Sequence, residues 1–236
     1  MFVNRRSKKF IKTLLNDPNI VDEIDAGNWD KVYDYFLQFL DRECKKRYIR
    51  VLEIQADLTR FLLDSGINPL EGQDYMPGFT FYGEFKLEDI PEIPSSIKEI
   101  KPFAYSELVT HKPMELRIPG TVKKIGGNAI NSCKEITKII IEDGVKVLDG
   151  FIIANCENIE YIELPNSLKK IGLLVDPEYY PSYRKTVIKF NGSASKFKLM
   201  VQAEMLKHRY LDDSDLLKHF RKLHVIDKNN NRINLG

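Results

Sequence analysis

The chain has 236 residues, 43% of them hydrophobic, enough to fill one large core or two small ones, which excludes a disordered protein. A formal net charge of +2 hides a gradient, because residues 71–183 carry 12 basic and 18 acidic side chains while residues 184–236 carry 12 and 5. No apolar run has the length of a membrane span, MFVNRRSKKF lacks a signal-peptide core, and Cys44, Cys133 and Cys156 show neither an even framework nor zinc spacing, so a cytoplasmic protein with free thiols is expected.

Residues 1–70 read as a helical domain, since RRSKKFIKTLLN, NWDKVYDYFLQFL and RYIRVLEIQADLTRFLLDSG place apolar residues three and four apart. Asn28 is a helix N-cap candidate, and Gly66 supplies a left-handed stop. In the third helix Ile49, Leu52, Leu58, Phe61 and Leu62 form a core-facing stripe. Residues 71–90 are rich in Pro, Gly and aromatics without helical period, and read as a linker with an extended lead-in.

A solenoid is expected over 91–192, because from Leu116 onward the chain repeats at a spacing of 23 residues. Leu116, Ile139 and Ile162 fall in one column, and Ile118, Ile141 and Leu164 in the next. Ala129 falls over Ile152, and Cys133 over Cys156. Apolar residues alternating with polar ones make short parallel strands stacked ~4.8 Å apart, with like side chains over like. A copy at 91–115 carries two extra residues near Thr110–Pro113, and VIKFNG takes a later strand after an excess of three in DPEYYPSYR. Residues 193–236 read as an α/β cap, helical from about Ser195 and ending in a hairpin around Asn229–Asn231. The fold class is therefore α/β (α+β): a helical N-terminal domain, a parallel-stranded solenoid and a mixed cap.

The segments IPGTVKKIG, NAINSC, ANC and LPNSLKKIG resemble the BspA-type leucine-rich repeat. Ile130, Ile153 and Tyr105 stand where that repeat has Phe, so the core is filled differently. A helical front followed by LLDSGINPLEG is similar to proteins of tailed phages, which implies a viral protein in the host cytoplasm. The resemblance implies a binding scaffold with no shared catalytic residues.

Outward columns beside the core positions are Glu115, Lys138, Tyr161 and Arg117, Ile140, Glu163. They form a candidate protein-binding face, with Tyr161 and Ile140 as anchors and charges around them, beside the alternative of an ordinary solvated sheet. Tyr179, Tyr180 and Tyr183, in the loop that breaks the repeat, are a second candidate contact, against the alternative of rings folded into the repeat edge. Lys98, Lys123, Lys146 and Lys169 share one repeat position and are a candidate anion-binding column, for nucleic acid or an acidic protein.

Catalytic chemistry is not expected. His111, His208, His219 and His224 have no zinc-spaced partners, Asp212, Asp213 and Asp215 suit a helix start, and no phosphate loop or nucleophile motif is present. No metal or cofactor is predicted. The expected function is a non-catalytic intracellular binding protein, an adaptor or inhibitor that recognises a host or viral protein. The alternative is nucleic-acid binding through the lysine column and the basic C-terminal region.

Overall fold

The structure, a computed structural model, describes residues 49–175, 181–207 and 219–235, together with Pro18. The helices predicted over RRSKKFIKTLLN and NWDKVYDYFLQFL, and the helix start at Asp212–Asp215, lie outside the described residues.

The third predicted helix is α1 (Ile49–Asp64). Its end follows from Gly66 at φ +77, which lets the amide of Ile67 reach back to the carbonyl of Leu62 at 2.9 Å. The stripe is broader than its apolar positions suggest. Ala56 and Leu62 are buried, Leu58 and Phe61 only half so, and Gln55, Asp57 and Thr59 are buried as well.

Beyond α1 the chain winds as a parallel β-solenoid with three sheets. The first contains β1 (Tyr75–Met76), β3 (Glu99–Ile100), β6 (Lys124–Ile125) and β9 (Val147–Leu148). The second contains β2 (Phe81–Glu84), β4 (Tyr105–Val109), β7 (Ile130–Asn131) and β10 (Ile153–Ala154). The third is the widest, with β5 (Met114–Ile118), β8 (Ile136–Ile141), β11 (Tyr161–Leu164), β12 (Val187–Phe190) and β13 (His224–Ile226). Strands β1 and β2 fall within the 71–90 lead-in.

Every ladder is parallel, and the central rungs keep the register that the repeat dictates. Leu116 lies opposite Ile139, Ile139 opposite Ile162, Ile162 opposite Ile188, and Ile188 opposite Val225. All five side chains are buried, so one apolar column runs the length of the third sheet. The two extra residues of the upstream copy sit where β4 gives way to β5, since Ser106 pairs with Asn131 but Glu115 pairs with Lys138. The passages from the second to the third sheet go through left-handed residues: Glu107 (φ 50) and His111 (φ 56) in the first, Ser132 (φ 55) in the next and Asn155 (φ 56) in the last. Rungs approach most closely at Gly120 and Gly144. A Cβ on Gly120 would stand 1.8 Å from the carbonyl oxygen of Asp143, so no other residue fits there.

After β12, α2 (Ala194–Lys207) packs Phe197 against Phe190 with ring centroids 5.5 Å apart. The hairpin predicted at the C-terminus has a further role. Its first strand, β13, extends the third sheet in parallel, and Ile226 bridges Arg232 in the antiparallel sense.

Candidate functional site

The predicted binding face is the outer surface of the third sheet. Glu115, Lys138, Tyr161, Val187 and His224 form one outward column, and Arg117, Ile140, Glu163, Lys189 and Ile226 the next. The alternation that buries Leu116 and Ile118 forces Glu115 and Arg117 outward, because successive side chains of a strand point to opposite faces.

Charges on this face pair with one another. Glu115 accepts from Lys138 Nζ and from an Arg117 terminal nitrogen, each at 2.9 Å, and Arg117 reaches Glu142 at 3.4 Å. The Lys138 ammonium also lies 5.7 Å from the centre of the Tyr161 ring. The Tyr161 hydroxyl donates to Glu163 at 3.0 Å, and Asn191 Nδ2 donates to the other oxygen of Glu163 at 2.7 Å. Partial burial and the Glu163 carboxylate push the Tyr161 hydroxyl up to about 12, so it remains a donor at neutral pH. Lys138 holds Glu115 below the usual carboxylate range, with help from Arg117. Half-buried Ile140 and Tyr161 therefore sit in a frame of fixed polar groups.

The lysine column is a continuous ladder. The amides of Lys123, Lys146 and Lys169 donate to the carbonyls of Lys98, Lys123 and Lys146 in turn. Part of its charge is tied to local backbone, since the exposed Lys98 donates through Nζ to the Ser95 carbonyl and the exposed Lys123 to the Gly120 carbonyl, both at 2.7 Å. The neighbouring lysines are neutralised: Lys101 and Lys124 pair with Glu99, and Lys170 pairs with Asp149.

Of the loop tyrosines, Tyr179 and Tyr180 lie outside the described residues. Tyr183 belongs to the core. It is fully buried in a 3-10 turn (Pro181–Arg184), and its hydroxyl accepts the amide of Cys156 at 2.8 Å. One rung earlier the amide of Cys133 donates to Cys156 Sγ at 3.3 Å, so the tyrosine oxygen takes over the thiol's task in that column. Both cysteines are free and buried. The bond between them and burial push the Cys156 thiol well up. His219, the one buried histidine among the described residues, bonds through Nε2 to the carbonyl of Leu173 at 3.0 Å.

Residues 74–175 match the model of the BspA type leucine rich repeat region in 6 copies. This segment is a BspA-type leucine-rich-repeat region. Comparison with the curated proteins and with the solved structures gives no match. Regions of this family are in general non-catalytic scaffolds for protein–protein interaction. Among the described residues, no helix is long and apolar enough to cross a membrane.

Two features went unseen in the sequence. Arg60 of α1 reaches the edge of β2, where Nε donates to the Glu84 carbonyl at 2.8 Å and a terminal nitrogen to the Tyr82 carbonyl at 2.5 Å. A groove of about 680 Å³ also runs along the corner between the second and third sheets, lined by the residues that precede β5, β8, β11 and β12. Neither carries a motif, because each joins residues that are far apart in the chain.

Proposed function

We propose that the protein is a non-catalytic intracellular binding protein, an adaptor or inhibitor, that recognises a host or viral protein through the outer face of the third sheet. The observation that carries this reading is the setting of Tyr161 and Ile140. Both are half-buried on a face of stacked strands, and their neighbours Glu115, Lys138 and Glu163 are already held by internal partners. A partner meeting this face finds fixed side chains that lose little freedom on binding, and an aromatic centre with a charged rim suits a protein interface. The test is affinity capture with the full chain and with Tyr161→Ala and Ile140→Asp. The partner recovered by the full chain is lost with either variant, while the melting temperature stays within the range of surface substitutions. Capture that survives both changes removes the face from the proposal.

Continuity of the lysine column across four rungs favours a second reading, the binding of nucleic acid. On this reading a gel shift at low salt weakens steeply as salt is added, and it disappears when Lys123, Lys146 and Lys169 are changed to Glu.

A further inference from the structure

The groove between the second and third sheets gathers charged side chains from four successive turns. Lys112 precedes β5, Lys134 and Glu135 precede β8, Glu157 and Glu160 precede β11, and Lys185 precedes β12. Several charges elsewhere on the solenoid pair across rungs, as Glu115 does with Lys138 and Glu99 with Lys124. Here, among the described residues, none of the six side chains has an ion pair or a hydrogen bond at its charged group. Lys112, Lys134, Glu157, Glu160 and Lys185 are exposed. Glu135 is different: its Oε2 is buried and has no hydrogen-bond partner. A buried carboxylate oxygen without a donor is costly.

Backbone bonds fix the order of these charges along the groove. The Met114 amide donates to the Glu135 carbonyl, the Glu160 amide to the Thr137 carbonyl, and the Val187 amide to the Glu160 carbonyl. Successive rungs therefore present Lys112, then Lys134 with Glu135, then Glu157 and Glu160, then Lys185. The exposed charges are basic at both ends and acidic between. From the midpoint of Lys112 and Lys134 to Lys185 is two and a half rungs, ~12 Å at ~4.8 Å per rung. Three alternate residues of an extended peptide span ~13 Å, since such a chain rises about 3.3 Å per residue.

We propose that this groove binds an extended peptide segment of a partner protein carrying acid, base and acid at alternate positions, laid along the solenoid axis. The two acids meet the Lys112–Lys134 end and Lys185. The central base meets Glu157 and Glu160. Opposite charges in register select the segment, and the reverse pattern places like charges together at all three points. The site is separate from the outer face of the third sheet and does not depend on that reading.

A set of labelled peptides with all eight sign patterns at three alternate positions, measured by fluorescence anisotropy against the full chain at physiological salt, tests this. The acid–base–acid peptide binds more tightly than base–acid–base by about tenfold or more. In the chain carrying Glu157→Lys and Glu160→Lys, the preference moves to the all-acid peptide. Both positions are exposed, so circular dichroism shows the fold retained. Tyr161→Ala leaves the peptide preference unchanged, which separates this site from the sheet face. Failure of every peptide to bind overturns the proposal, as does a preference that the double substitution leaves in place.

Discussion

The two ends of the solenoid face one problem, an open stack of strands, and solve it with different chemistry. At the N-terminal end a single guanidinium holds the edge of β2. Arg60 bonds to the carbonyls of Tyr82 and Glu84, pairs with Asp57 at 2.7 Å, and lies 4.6 Å over the ring of Phe85. At the C-terminal end apolar packing and a reversal of strand direction share the task. Phe197 covers Phe190, β13 adds one more parallel strand, and the amide of Ile233 returns to the carbonyl of Val225 at 2.9 Å. Terminal rungs need such covers because their cores would otherwise meet water. Among the described residues, Arg60 adds a polar clamp to the buried Ala56 and Leu62 of α1, whereas the C-terminal cover is apolar packing and an added strand.

The comparison is broken most severely at Phe197. Its side chain is fully buried, so Phe197→Ala removes apolar contact and leaves a cavity over β12, at a cost of about 4 kcal/mol. Urea denaturation of the variant shows that loss in the unfolding free energy. A loss below about 1 kcal/mol means that α2 adds little to the cap.

Next comes Arg60→Ala. It frees two edge carbonyls and leaves the nearly buried Asp57 without the Arg60 cation that pairs with it, at a cost of about 3 kcal/mol. Hydrogen exchange separates the two ends: amides of β1 and β2 lose protection, while those of β12 and β13 keep theirs. Equal loss at both ends refutes the view that the caps act locally. Arg60→Lys does not rescue, because an ammonium cannot bond to two carbonyls and a carboxylate in one plane.

What the sequence revealed follows the same division. The central rungs were legible because each repeats its neighbour: Leu116, Ile139 and Ile162 recur at equal spacing and stack in that order. The terminal parts were legible where a period or a turn signal marked them, as VIKFNG does for β12, the helical run from about Ser195 for α2 and Asn229–Asn231 for the final turn. Tyr183 read as a candidate contact because it stands 27 residues after Cys156, off the period, and a tyrosine in place of a thiol gives no pattern to follow. Strand β13 arrives 37 residues after its partner in β12, with α2 between them, so spacing could not announce it. The Arg60 clamp joins residues 24 and 22 apart through carbonyls, groups that every residue possesses. The groove eluded the reading because its charges lie on four different turns. Only the winding brings them into line.

The smallest expected effect lies between the two caps, on the outer face of the third sheet. Lys138 and then Arg117 hold Glu115 below its ordinary pKa of 4.5. A carboxyl whose folded value is depressed contributes stability that is full above the unfolded value and is lost as pH falls through the folded value. The contribution of Glu115 is therefore present at neutral pH and fades below about pH 4.5. The group is exposed and screened, so the magnitude stays under about 1 kcal/mol. Denaturation of the parent chain and of Glu115→Gln shows a small gap at pH 7 that narrows in acid, and added salt shrinks the gap at pH 7. A gap that widens in acid reverses the sign and refutes the pairing. If instead it matches the loss at Arg60, the outer face stabilises the solenoid as strongly as its caps, and the division between ends and middle no longer holds.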